Sequence, residues 1–352
     1  MEVGIIGFAR SGKTTIFNAL TGAHAQVGTF GSRDANVAVL RVPDERVEKL
    51  AAIFKPKKTV HAEFRFVDAA PNEADGERKA LDPDALGVLR QADALVHVVR
   101  AFEDQDVMHP HGTVDPARDC RDLEEELRLA DLIVIEKRLE RLEKEHNLGA
   151  EHQVLVRARE HIESGAPLRT MELTGQEAKE LSGFCFLSQK PLLLVGNYGE
   201  KTIGDEDPAH LSACAIEQGL PVVALCGEME MEIVQLAEEE RQTFRDEWGL
   251  GEGSRMEFVH AAHDLLGLII FFTCGDAEVH ARTIPDGTKA VEAAACVHSD
   301  MARGFIRAEV VGCGDLVAAG SMAKAKEGGH VHLEGKEYLV QDGDVILFRF
   351  NV

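Results

Sequence analysis

Eight residues near the start of the chain, Gly7-Phe8-Ala9-Arg10-Ser11-Gly12-Lys13-Thr14, limit what it can fold into more than any other stretch. They fit G-x-x-x-x-G-K-[ST], a P-loop pattern in which glycines let successive backbone N–H groups turn inward around phosphate oxygens. The flanks agree with it. Val3-Gly4-Ile5-Ile6 reads as a buried strand, and Thr15-Ile16-Phe17-Asn18-Ala19-Leu20 as the helix that the loop feeds. In that context Lys13 reaches the β- and γ-phosphates and Thr14 offers its hydroxyl to Mg2+. The residues from Arg10 through Ser11, Gly12 and Thr15 line the cradle. The alternative is a plain turn between strand and helix.

The chain has 352 residues, room for two or three domains, and 45% apolar content, enough for a packed core. It holds no apolar run of about 18 residues, so no membrane partner is expected. A strand and loop at the very start leave no room for a signal peptide. Seven scattered cysteines without a C-x-x-C pair fit a reduced, cytoplasmic setting better than a disulfide scaffold or zinc site. Lys and Arg number 38 against 61 Asp and Glu, a net charge of −23, so bulk attraction to nucleic acid or anionic lipid is not the default expectation. RNA contact then requires a local patch. Lys55-Pro56-Lys57-Lys58 is the one dense basic cluster, and its plainer reading is a solvated turn before a strand.

Strand and helix patterns alternate as in an α/β fold with a mostly parallel sheet. After the first strand come Val37–Leu40, Glu63–Val67 and Ala94–Val99, and later Pro191–Gly196 and Pro221–Leu225. Between about 119 and 182 the sequence is helical and charged. Leu132, Ile135, Leu139 and Leu142 fall three, four and three apart, a heptad seam. Leu155, Ala158 and Ile162 continue it on a second helix, with a reversal at Asn147-Leu148-Gly149. An acidic helix is expected near Glu228 to Arg245. From Leu268 short strands separated by Gly and Asp turns (Leu268–Thr273, Glu278–Thr283, Ile306–Val311, Glu337–Val340, Val345–Phe350) surround a helix at about Lys289–Ser299. The expected domains are a P-loop domain over 1–118 and 183–265, an inserted antiparallel helical hairpin over 119–182, and a small α+β module over 266–352.

Asp68 ends the strand Phe64–Val67, where P-loop proteins place a carboxylate that holds a Mg2+-bound water; an Asp there can also cap or turn the chain. Ser32 or Thr29, in the loop before the second strand, can complete the Mg2+ shell. Asn197-Tyr198-Gly199-Glu200 follows a strand at its carboxyl end, where open sheets bind ligands. GTP-binding proteins put Asn-Lys-x-Asp here, the aspartate accepting two hydrogen bonds from guanine. Glu200 is one methylene longer, which disfavours that pairing and makes adenine plausible. An Asn-Gly turn would explain Asn197 and Gly199 alone. His109-Pro110-His111 reads as a loop rather than a metal site, for want of further ligands. The cysteines, and Met229 and Met231, read as packing residues.

These residues resemble the YchF family of Obg-like ATPases, over nearly the whole chain. The likeness rests on the P-loop with Thr15–Thr21, on Asn36-Val37 with Val42-Pro43-Asp44, on His97–Glu103, and on Glu126–Leu132 opening the insert. In the tail it rests on Gly304–Val310, Leu333–Tyr338, Asp342–Ile346 and Phe348–Val352, similar to a TGS domain of β-grasp fold. The resemblance implies ATP binding with slow hydrolysis, Mg2+ dependence, and association with the ribosome or translation factors. It also implies a base site around Asn197 and Glu200, backed by Leu225-Cys226-Gly227. Lys13 and Asp68 are the residues expected to carry catalysis, and Thr14, Ser32 and Asp68 those expected around the metal.

One departure matters. The family reads Asp-x-Ala-Gly after the third strand, and here Asp68-Ala69-Ala70 is followed by Pro71, which has no N–H for the γ-phosphate. Asn72 stands where the family carries a hydrophobic residue, and no general base is apparent near the switch. Turnover is therefore expected to be slow or partner-dependent. A scaffold that binds nucleotide without hydrolysis, and a GTPase, are the alternatives.

Overall fold

The computed structural model describes residues 1–22, 36–68, 81, 83–200, 202, 211–248 and 254–351. Thr29, Ser32, Pro71 and Asn72 lie outside them. In chain order the first elements are β1 (Glu2–Ile6), α1 (Lys13–Thr21), β2 (Asn36–Val42), α2 (Glu45–Phe54), β3 (Lys58–Val60), β4 (Ala62–Asp68), α3 (Pro83–Leu89) and β5 (Ala94–Ala101). Next come α4 (Pro116–Lys144), α5 (Ala150–Glu163), α6 (Gly175–Ser182), β6 (Leu192–Tyr198), α7 (Leu211–Gln218), β7 (Val222–Leu225), α8 (Gly227–Gln235), α9 (Glu238–Trp248) and α10 (Ser254–Leu265). The chain ends with β8 (Leu268–Cys274), β9 (Glu278–Pro285), α11 (Ala290–Val297), α12 (Ser299–Arg303), β10 (Phe305–Gly312), α13 (Cys313–Ala319), α14 (Met322–Glu327), β11 (His332–Glu334) and β12 (Asp344–Phe350). Two compact units result: residues 1–39 with 65–262, and residues 40–64 with 263–352.

The first unit is built on a six-stranded sheet in the order β2-β4-β1-β5-β6-β7. Its inner pairings are parallel: β1 with β4 and β5, and β6 with β5 and β7. Central parallel strands are covered on both faces and need continuous apolar runs. Accordingly β6 is buried at every position and β5 at all but its last. Leu95, Val99, Leu192, Leu194 and Ile6 pack with Leu123 and Leu127 of α4 and with Leu211 of α7.

The helical insert opens with Asp115, whose carboxylate accepts from the Arg118 amide ahead of Pro116 in the first turn. The expected seam closes as a hairpin. Ile135, Leu139 and Leu142 are buried against Val154, Leu155, Ala158 and Ile162, with Leu132 packed at the margin. Its base is pinned by Asp131. That buried carboxylate accepts from the Leu187 and Ser188 amides at 3.0 and 2.7 Å and from Arg90 Nη1 at 3.1 Å.

The second unit has a mixed sheet in the order β11-β10-β12-β8-β9-β3. One face is covered by α11, whose Ala290, Ala293 and Ala294 lie on Phe271, Phe305, Ile346 and Phe348. Residues 40–64 were expected in the P-loop domain, and the structure groups them with this unit. The cause is a set of long-range contacts. β3 adds a parallel edge strand to β9, Lys58 opposite Glu278 and Val60 opposite His280. Arg46 of α2 bonds Asp342 at 2.6 Å and Asp44 at 2.8 Å and lies over the Phe272 ring.

Three further expectations are corrected. Glu337–Val340 is not a strand: it makes a single antiparallel bridge, Leu339 to Lys289, through the Val340 amide on the Thr288 carbonyl and the Ala290 amide on the Tyr338 carbonyl. The acidic helix is two helices, α8 and α9, broken at Leu236, where the backbone turns extended. The strand expected over Pro191–Gly196 is β6, which runs on through Asn197 and Tyr198, paired with Arg100 and Ala101. Among the described residues no helix is long and apolar enough to cross a membrane.

Candidate functional site

The glycine loop leaves β1 at the carboxyl edge of the parallel sheet, the edge where such sheets take ligands. Gly7 has φ 145°, and a Cβ on it would stand 2.4 Å from the Val98 carbonyl oxygen. Arg10 (φ 63°) and Gly12 (φ 89°) are both left-handed, and Gly12 starts α1. No side chain caps that helix, the arrangement in which a helix N-terminus receives an anion. Lys13 is 6% exposed, and its ammonium donates to the Gly7 and Phe8 carbonyls at 2.8 Å each. Ser11 is buried, Thr14 and Thr15 are half-buried, and Arg10 is exposed, its guanidinium donating to the Met108 carbonyl.

Asp68, at the end of β4, is wholly buried. Its Oδ2 accepts from Thr14 Oγ1 at 3.0 Å and from Asn36 Nδ2 at 3.4 Å. Its Oδ1 has no hydrogen-bond partner among the described residues. An orphaned carboxylate oxygen beside a threonine hydroxyl is a donor set that suits a hard cation such as Mg2+.

Asn197 ties the end of β6 to the loop. Its Nδ2 donates to the Ser11 carbonyl at 3.0 Å and its Oδ1 accepts from the Gly227 amide at 3.0 Å. Gly12 has to be glycine here, since a Cβ would lie 2.2 Å from Asn197 Nδ2. Leu225 and Cys226 are buried at the start of α8. Burial raises the Cys226 thiol pKa, so it is a packing group rather than a nucleophile. Glu200 is exposed, near enough to Cys226 to act on it electrostatically.

Sequence reasoning gave no role to three neighbours. Phe102 lies beside both Gly12 and Gly199; its Cε1 would be 4.0 Å from a Cβ on the first and its Cβ 3.5 Å from one on the second. Arg100 is buried under it. His97 on β5 is fully buried, with no hydrogen bond to either ring nitrogen among the described residues, and burial, reinforced by Lys13, lowers its pKa to about 3. Nothing in an apolar strand run marks such positions in advance.

The pair at 109 and 111 gains a partner that sequence spacing did not reveal. His109 Nε2 lies 2.9 Å from Asp119 Oδ2, and His111 Nδ1 is 3.5 Å from Asp119 Oδ1. Arg118 also holds Asp119 Oδ1, at 2.7 Å. His109 Nδ1 accepts from the His111 amide, which puts the neutral ring's proton on Nε2, facing Asp119. The group is thus an Asp119–Arg118 ion pair flanked by two histidine rings, packed against Phe8 of the loop through the His111 ring.

A buried lysine over a glycine loop, a hydroxyl–carboxylate pair and this strand order together define a P-loop NTPase of GTPase-like fold with a β-rich C-terminal unit. A family model described as "50S ribosome-binding GTPase" matches residues 2–138, and the YchF-GTPase_C model, described as "Protein of unknown function (DUF933)", matches 268–351. The chain is 42% identical over 366 residues to the "Ribosome-binding ATPase YchF" of Bacillus subtilis (strain 168), covering 100% of both. It is 36% identical over 364 residues to the protein of that name from Escherichia coli O157:H7, covering 100% of this chain and 99% of the other. The structure of the Schizosaccharomyces pombe YchF GTPase superposes with a TM-score of 0.84 at 26% identity, over 99% of this chain and 97% of that one. A GTP binding protein from Pyrococcus horikoshii OT3 shares the fold, with a TM-score of 0.64 at 19% identity and 100% of each chain covered. The chain belongs to the YchF family.

Proposed function

We propose that this protein is a Mg2+-dependent nucleoside triphosphatase, selective for ATP over GTP, that acts on the ribosome as a slow or partner-triggered switch in the cytoplasm. The observation that carries the reading is the Thr14–Asp68 hydrogen bond at 3.0 Å beside the buried Lys13 ammonium, with Asp68 Oδ1 left for a ligand. Lys13 and the amides from Arg10 to Thr15 would bind the phosphates; Thr14 and Asp68, with Ser32 from outside the described residues, would hold the metal. Mg2+, when bound, neutralises phosphate charge and fixes its geometry. This chain's own residues position and stabilise charge, which is most of the catalysis in such sites. Asn197, Glu200, Leu225, Cys226 and Phe102 would surround the base, and the exposed, longer Glu200 carboxylate supports adenine.

Ribosome association rests on the relatives' names and on one patch. Lys55, Lys57 and Lys58 are exposed at the β3 edge and make no ion pair among the described residues. The C-terminal unit that carries them would be a TGS-like module, and the helical hairpin a separate insert.

Phosphate release from ATP and from GTP, each with a Lys13→Ala control, tests the reading. ATP turnover above that control supports it. Turnover equal to the control favours a hydrolysis-deficient scaffold, the reading that Pro71 supports, and a clear GTP preference contradicts the role given to Glu200.

A further inference from the structure

Arg100 is among the largest fully buried side chains of the protein, 1% exposed at the end of β5. Burying a guanidinium is costly unless it is paired, yet no carboxylate lies within ion-pair distance of it among the described residues. Asp104, Glu103 and Asp119 act on it only through space. Its contacts are two backbone carbonyls and a ring. Nε donates to the Phe102 carbonyl at 3.1 Å and Nη1 to the Arg10 carbonyl at 3.4 Å, and the guanidinium stands 4.4 Å from the Phe102 ring centroid.

Both carbonyls belong to the nucleotide site. The Arg10–Ser11 peptide follows a left-handed residue, and it is pinned on both sides: its C=O by Arg100, its N–H by the Phe8 carbonyl at 3.3 Å. Phe102 is the ring that flanks Gly12 and Gly199, between the phosphate loop and the base side. One buried cation therefore sets the phosphate loop and the ring together, and adds positive potential that Asp104, Glu103 and Asp119 offset only through space.

We propose that Arg100 is a positioning residue of the nucleotide site, fixing the Arg10–Ser11 peptide for polyphosphate and the Phe102 ring for the base. This rests on the nucleotide-site reading above. The guanidinium acts through the loop and the ring and touches no reacting atom. Its buried charge is a burden in the ligand-free protein, and a bound polyphosphate offsets it.

The test is calorimetric titration of the full chain with ATP and with inorganic tripolyphosphate in Mg2+, alongside the unfolding midpoint of each ligand-free variant. Arg100→Met keeps the stem and removes the charge. It should weaken both ligands about tenfold or more, the scale of a lost charge-assisted bond, while the ligand-free midpoint holds. Arg100→Lys should recover most tripolyphosphate binding but not ATP binding, because lysine supplies charge without a planar group for the ring. Phe102→Ala should weaken ATP alone. Wild-type affinities in Arg100→Met overturn the proposal, as does a loss of affinity that only tracks a fall in the midpoint. Should Arg100→Met fail to fold, Arg100→Lys decides: ATP affinity equal to wild type overturns the proposal. If wild type binds neither ligand, the nucleotide-site reading falls first and takes the proposal with it.

Discussion

The amide of Asn197 donates to the carbonyl of Ser11 at 3.0 Å, joining the glycine loop to a strand 186 residues further along. With its other end on the Gly227 amide, Asn197 is a strut between the loop and the start of α8. Asn197→Ala should therefore cost both stability and ligand affinity. Two buried groups lose partners, at about 1–3 kcal/mol each, which denaturant unfolding measures directly. Gly12→Ala should weaken nucleotide binding and cost at least as much stability, because its Cβ would displace the Asn197 amide at 2.2 Å and add the strain of a left-handed backbone. Titration of both variants with ATP orders the two effects.

Asp68 carries a buried carboxylate oxygen with no partner among the described residues. Asp68→Asn should leave the ligand-free protein at least as stable, since an amide is cheaper to bury than a charge. The same change should remove the Mg2+ dependence of nucleotide affinity. Titrations with and without Mg2+ check it, and an unchanged Mg2+ effect would contradict the metal role.

His97 makes stability depend on pH. Its folded-state pKa, about 3, lies below the unfolded value near 6.5, so folding disfavours the protonated form. This contribution is complete above about pH 6.5 and is lost as pH falls from there towards 3, with a limiting slope of about 1.4 kcal/mol per pH unit. His97→Leu should flatten that acid limb and raise the melting temperature, since it also removes two ring nitrogens buried without partners among the described residues. Thermal unfolding between pH 7 and 4 gives the comparison.

Asp131 holds two amides and Arg90 at the base of the helical hairpin. Asp131→Ala should lower stability by about 3 kcal/mol or more, because it leaves those donors buried and unmatched. Equilibrium unfolding measures the loss. An exposed pair such as Lys144–Glu140 should matter far less.

Lys57→Glu combined with Lys58→Glu should weaken co-sedimentation with ribosomes and make the remainder less sensitive to salt, since each lysine lost from a phosphate contact removes a released counterion. Binding unchanged in strength and in salt slope would place ribosome contact elsewhere.

Much of the site was legible from local pattern. The loop at 7–14 carries its backbone requirements in its glycines, Asp68 follows an alternating strand, and the leucine spacing from 132 to 142 fixes one face of a helix. What local pattern left out shares one trait. Arg100, Phe102 and His97 sit in or beside an apolar strand run, where periodicity assigns burial and no role. Asp119 meets His109 because the first turn of α4 packs against the segment 109–111.

The sequence by itself determined the elements that depend on neighbours within a few residues: the glycine loop, the heptad seam and the buried parallel strands. Tertiary structure decided every partnership across long separations. It placed Lys58 against Glu278, Arg46 against Asp342 and Asn197 against Ser11. Backbone preference and side-chain period act over a turn or a strand, whereas a buried polar group is satisfied by whatever the strand order brings beside it.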